Sequence, residues 1–177
     1  LDAVGEGIRV AVSGLYSGPA ISAIDDKGRL AVPANLRNSI PSEDGEPAAK
    51  GGRTLCITRH ERSDCLIAFG PDRLRKMQDD IEREEEIALA RGEDYDRDAA
   101  NRRKFGLVET VTLDGSGRFV VPPFLRQVGK LDRQVFFHGA GEYFEIWNPD
   151  LLLAEGDDGD PIKLACRFYL AAAEKKK

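Results

Sequence analysis

The sequence predicts an α+β protein in which two copies of one small unit pack about a pseudo-twofold axis into a mixed β-barrel. Short helices, a charged linking helix and a C-terminal helix accompany it. Three observations predict this. A fourteen-residue pattern occurs twice, from Ile24 to Arg37 and from Leu113 to Arg126. Seven positions are identical: Asp25/Asp114, Gly28/Gly117, Arg29/Arg118, Val32/Val121, Pro33/Pro122, Leu36/Leu125 and Arg37/Arg126. Each copy is followed by two short apolar runs joined by a polar turn, the signature of a hairpin. Between the copies, Asp72 to Lys104 carries 9 basic and 11 acidic residues, the composition of a solvated helix. A unit of about 50 residues is too small to bury a stable core alone, so the two must share one.

Residues 1–15 read as an N-terminal extension, and residues 16–70 as the first unit. Ile21 and Ala23 alternate with Ser22 up to Ile24, and Leu30-Ala31-Val32 resumes a strand beyond the turn. Asp25-Asp26-Lys27-Gly28 between them is hairpin chemistry, since Asp bonds back to nearby amides and Gly28 supplies a positive φ. Pro33 ends the strand and suits the first turn of a short helix through Leu36 and Arg37. A polar loop from Ser42 to Gly52 precedes a second hairpin, Thr54–Thr58 and Cys65–Phe69. Residues 71–104 form the charged helical linker, opening at Pro71-Asp72 and breaking at Gly92.

The second unit, residues 105–153, repeats this order: a strand from Gly106 to Leu113, the Asp114 turn, Arg118 to Val121, and a helix from Pro122 to Val128. Its hairpin, Gln134–His138 and Tyr143–Trp147, is expected to turn at Gly139 to Glu142. The offset between copies falls from 89 at the Asp pair to 80 at Leu55 and Val135, which places the extra length in the Ser42 to Gly52 loop. The expected core is Ile24, Val32, Leu55, Ile57, Leu66, Leu113, Val121, Val135, Phe137, Phe144 and Ile146. Residues 154–177 read as an acidic linker and tail, with a helix from Ile162 to Ala173 packing through Leu164, Phe168 and Ala172.

Composition excludes several functions. A net charge of −5 weighs against coating nucleic acid by bulk attraction, so any binding must come from a local face. No apolar run approaches the roughly 20 residues of a membrane span. No charged region followed by an apolar run and cleavage site is visible at the N-terminus, and a cytoplasmic location is expected. Cys56, Cys65 and Cys166 lack metal-site spacing and read as buried thiols, while His60 and His138 have no second ligand nearby. Glu155 to Asp160 lacks the twelfth-position glutamate of a calcium loop. No nucleophile elbow, phosphate loop or acid–base carboxylate pair occurs, so no enzyme, cofactor, metal or small-molecule substrate is expected.

The repeated turn carries the chemistry. An aspartate four residues before an arginine lies close to the guanidinium or to the turn amides. Asp25 and Asp114 can cap the turn while Arg29 and Arg118 pair with acids. Alternatively, the arginines project a five-donor fork that bonds a guanine edge twice or clamps phosphate.

Tyr16-Ser17-Gly18, Asp25-x-Lys27-Gly28-Arg29-Leu30, Pro33, Arg37, Cys65-Leu66, Asp114-x-x-Gly117-Arg118, Leu125-Arg126 and Glu145-Ile146-Trp147 together resemble the MraZ family, over roughly Tyr16 to Asp150. The resemblance implies tandem AbrB-like swapped-hairpin units and a ring-shaped homo-oligomer. It also implies a nucleoid-associated transcriptional regulator of division and cell-wall genes that binds double-stranded DNA. By position it assigns DNA contact to Arg29 and Arg118, with Lys27 and Ser116 beside them. Arg37 and Arg126 match family positions too, with phosphate contact or subunit contact left open. Asp25, Gly28, Asp114 and Gly117 form the motif turns. The chain departs from the family at Leu74, at Leu151 to Leu153 and at Asn148. A second reading is an AbrB-fold protein-interaction module of antitoxin-like type, working through the charged helix or the tail.

Overall fold

The computed structural model describes residues 12–41, 52–154 and 156–175. Most of the Ser42 to Gly52 loop, the extension through residue 11, Glu155 and the last two lysines lie outside the described residues. The first copy supplies β1 (Tyr16–Ala23), β2 (Arg29–Ala31), α1 (Ala34–Arg37), β3 (Thr54–Arg59) and β4 (Leu66–Phe69). Two helices follow, α2 (Asp72–Ala90) and α3 (Arg97–Phe105). The second copy supplies β5 (Glu109–Thr112), β6 (Arg118–Val120), α4 (Pro123–Val128), β7 (Gln134–Gly141) and β8 (Phe144–Trp147). The chain ends in α5 (Pro149–Ala154) and α6 (Pro161–Glu174).

Six strands form one antiparallel sheet in the order β1-β7-β8-β4-β3-β5, and β2 and β6 pair separately. Exchanging the copies, β1 for β5, β3 for β7 and β4 for β8, reverses that order and leaves it unchanged. The first strand of each copy is therefore paired with a strand from the second hairpin region of the chain's pseudo-twofold scheme: β1 on β7 of the other copy, β5 on β3. The expected closed barrel does not form. The edge strands β1 and β5 each run into a turn that redirects the chain into β2 and β6, and these bond to each other rather than closing the large sheet.

The pleat sorts side chains by period two. Leu55 and Ile57 of β3, Leu66 and Ala68 of β4, Val135 and Phe137 of β7, and Phe144 and Ile146 of β8 enter one core with Ile24, Val32, Leu113 and Val121. All eleven expected core residues lie there, and the β2–β6 ribbon covers them with Leu30 and Phe119. Burying each of those two contributes about 1.5–3 kcal/mol. The opposite face of the sheet is also covered. Cys56 and Phe69 pack with Met77 of α2, and Cys65, Phe136 and Trp147 pack with Leu152 and Cys166 of α5 and α6.

Several details differ from the sequence expectation. The strand β7 runs on through Gly139 to Gly141 because β1 pairs with it over its whole length, Tyr16 opposite Gly141. Pro19 is tolerated in β1 because that strand lies at the sheet edge. The run Leu151 to Leu153 forms α5, where Asn148 Oδ1 accepts from Asp150 N at 2.9 Å. In α6 the packed side is Lys163 and Cys166 with Ile162, Ala165 and Leu170, not the expected stripe. Leu164 and Phe168 face solvent. Among the described residues, no helix is long and apolar enough to cross a membrane.

Candidate nucleic-acid interface

Both repeated turns have one geometry. Gly28 N donates to Asp25 O at 2.9 Å and Asp25 N to Arg29 O at 3.0 Å. Gly117 N donates to Asp114 O at 2.9 Å and Asp114 N to Arg118 O at 2.8 Å. The glycines hold φ of +75° and +74°, the left-handed position that closes such a three-residue hairpin loop. Asp25 Oδ1 accepts from the amides of Lys27 and Arg29, each at 2.9 Å, and Asp114 Oδ1 accepts from those of Ser116 and Arg118, also at 2.9 Å.

The second carboxylate oxygen grips the arginine. Arg29 Nε donates to Asp25 Oδ2 at 2.7 Å, with Nη2 also at 2.7 Å, and Arg118 Nε donates to Asp114 Oδ2 at 3.0 Å. The aspartate thus both caps the turn and fixes the arginine. The backbone amides of Arg29 and Arg118, followed by the other turn donors and the guanidinium charge, hold both carboxyls below the usual aspartate range.

Register decides where the arginines lie. Arg29 is opposite Val120, Leu30 opposite Phe119, and Ala31 opposite Arg118. Leu30 and Phe119 are buried, so the alternating pleat puts Arg29, Ala31, Arg118 and Val120 together on the outer face. The diagonal spacing of such positions is about 7–8 Å. Lys27 and Ser116 are exposed at the two turn tips.

Arg37 and Arg126 sit behind the turns. Arg37 Nη1 donates to Ser116 O at 3.2 Å, and a methyl group on Gly117 would meet its Cδ and Nη1 at 2.4 Å. Arg126 Nε donates to Leu131 O at 3.2 Å, with its Nη1 lying 3.8 Å from where a Gly28 methyl would be. Each arginine of one copy therefore stands against the turn of the other. Reciprocal backbone bonds, Val32 N to Gly117 O at 2.9 Å and Val121 N to Gly28 O at 3.0 Å, lock the ribbon.

A third arginine pair escaped the sequence reading. Leu113 N donates to Arg53 O and Ile24 N to Arg133 O, each at 2.8 Å, which puts Arg53 beside the second turn and Arg133 beside the first. Their numbers differ by 80, the offset already shared by Leu55 and Val135; extending that register two residues upstream would have found them. The environments differ: Arg53 is buried and Arg133 exposed. Burial, and then the charge of Arg37, lower the Arg53 pKa.

Other candidates resolve into structural roles. All three cysteines are buried, and burial pushes the Cys166 thiol up to about 11. His60 Nδ1 accepts from the amides of Arg62 and Ser63 at 3.0 Å, closing the β3–β4 turn. Asp160 caps α6 and Asp158 pairs with Arg167. Among the described residues, no group of three or more His, Cys, Asp or Glu is arranged to hold a metal.

The profile of the family described as "MraZ protein, putative antitoxin-like" matches residues 105–151, the second copy. Relatives named transcriptional regulator MraZ match far more of the chain. That of Methylobacillus flagellatus is 32% identical over 143 residues, covering 80% of this chain and 86% of its own length. That of Thermomicrobium roseum is 32% identical over 149 residues, covering 80% and 92%. That of Saccharophagus degradans is 29% identical over 153 residues, covering 84% and 94%. At 32% identity over 80% of its length, the chain belongs to the MraZ family.

Proposed function

We propose that this chain is a sequence-specific DNA-binding transcriptional regulator whose reading surface is the outer face of the β2–β6 ribbon. The observation that carries the reading is the pair of aspartate-clamped arginines on that face. A two-stranded ribbon fits the major groove, and an arginine held on its Nε side still offers its outer nitrogens to the O6 and N7 of guanine. Holding the fork in place before binding lowers the entropy lost on contact. The relatives' name, transcriptional regulator, supports the same reading.

Lys27 and Ser116 flank the fork at the turn tips. Arg37 braces the second turn from behind, Arg126 lies behind the first, and both add positive charge. We further propose that the two copies are AbrB-like swapped-hairpin units and that several chains assemble into a ring. The ring engages tandem promoter repeats upstream of division and cell-wall genes in the nucleoid. A ring offsets the acidic net charge, because linked turns that bind adjacent repeats gain through effective concentration.

Gel-shift titration tests this with the intact chain and with Arg29→Ala and Arg118→Ala. Each variant is expected to lose about tenfold or more in affinity, whether its arginine meets a guanine edge or a phosphate. Variants that bind as well as the parent would move the reading to a protein-interaction module, which the solvent-facing Leu164 and Phe168 of α6 favour. A single isolated repeat bound as tightly as several would remove the ring-and-tandem-repeat part alone.

A further inference from the structure

The two turns match in backbone and differ in the side chains around them. At the first turn, Lys27 is exposed at the tip and Arg133 is exposed beside it. Among the described residues neither side chain makes a hydrogen bond or ion pair. At the second turn the corresponding positions are Ser116 and the buried Arg53. Both exposed cations of the first turn are therefore missing from the surface of the second.

The arginine forks differ in the opposite sense. Arg29 spends both Nε and Nη2 on Asp25, whereas Arg118 spends only Nε on Asp114. Both outer nitrogens of Arg118 make no bond among the described residues, which is the end-on fork that guanine recognition needs. The second turn is also the more firmly seated. Gly117 is buried and lies against Arg37, which donates to Ser116 O at 3.2 Å. At the first turn, Arg126 comes no closer than ordinary contact to the space beside Gly28.

We infer that the two turns divide the work, the second reading base edges through Arg118 and the first gripping backbone phosphates through Lys27 and Arg133. The assignment rests on the ribbon being the DNA face. Base reading requires both outer guanidinium nitrogens to be available to the O6 and N7 of guanine. Phosphate contact requires only flexible cations free to meet a negative strand, and it carries no sequence information. The first turn has the exposed cations, and the second has the fork with both outer nitrogens free, on the more firmly seated turn.

The test uses the intact chain, a duplex selected by that chain from a random library, and a scrambled duplex of equal length. Affinities are measured across a salt series. The double variant Lys27→Ala/Arg133→Ala is expected to weaken binding to both duplexes alike and to reduce the log–log salt slope by about 1.8, two phosphates at about 0.9 each. Arg118→Lys, which keeps the charge and loses the planar fork, is expected to keep the slope and to lower the selected-to-scrambled ratio about tenfold or more. An Arg118→Lys slope loss with an unchanged ratio, or a ratio collapse in the double variant, overturns the division while leaving the DNA reading intact. If neither variant changes affinity, ratio or slope, the DNA reading itself fails. Both Lys27 and Arg133 are exposed and unpartnered, so the double variant is expected to melt as the parent does, and its thermal midpoint checks this.

Discussion

Gly28 and Gly117 occupy equivalent positions with nearly equal φ, yet substituting them should not cost the same. Alanine in the left-handed region costs about 1–2 kcal/mol at either site. At Gly117 the new methyl must also displace Arg37, whose Cδ and Nη1 stand 2.4 Å from it, whereas at Gly28 the nearest atom is 3.8 Å away. Urea unfolding should therefore place the midpoint of Gly117→Ala clearly below that of Gly28→Ala, and equal midpoints would remove the bracing role of Arg37. The aspartates give a second residue-scale prediction. Their folded-state pKa values are lowered, chiefly by the Arg29 and Arg118 amides, so the stability they contribute is present above the ordinary aspartate pKa of about 3.9 and is lost as pH falls through the lower folded value. In an acid titration followed by NMR, the amides of Lys27, Arg29, Ser116 and Arg118 should shift together below that ordinary pKa. A midpoint at or above it would contradict the clamp.

Among the elements, the pairing of β1 with β7 depends on one close approach. A methyl group on Gly139 would lie 2.4 Å from Ser17 N, so Gly139→Ala must push β1 outward or break its register. The expected cost is about 1–3 kcal/mol, the usual range for overpacking, with hydrogen-exchange protection lost first in the β1 amides. Protection lost first in β3 and β4 would refute that assignment. The charged helices show a different economy. Glu84 accepts from Lys104 Nζ and Tyr95 OH, each at 2.8 Å, and Arg97 bonds Glu82 and Glu85, so α2 and α3 are held as a pair largely by surface contacts. Of the apolar positions in α2, Met77 and Ile81 are buried while Ile87 and Leu89 are exposed. The α2 end near Gly92 therefore has little to hold it to the sheet.

For the whole molecule, the consequence of the strand order is that neither copy is a domain. Because β1 needs β7 and β5 needs β3, and one core takes residues from both copies, the chain should unfold in a single transition by calorimetry. A fragment of residues 12–90 should be unfolded alone and should regain sheet structure by circular dichroism when mixed with residues 91–175. A fragment that folds by itself would show that the copies are independent.

The sequence by itself determined the repeat, the turn chemistry, the eleven core positions and the helical linker, because these depend on local rules. An aspartate and a glycine at fixed spacing close a hairpin loop wherever they stand, and alternating apolar residues mark a buried face. It also pointed to the motif arginines as the surface to watch. It did not reveal the open sheet, the solvent-facing side of α6, the placement of Arg37 and Arg126 behind the opposite copy's turns, or the pair Arg53 and Arg133. Those depend on which strand lies beside which, and residues 80 apart in sequence become comparable only once the copies are paired. Tertiary structure alone decided that two similar turns meet unlike surroundings, since burial and neighbouring charge are properties of the packed chain rather than of the motif.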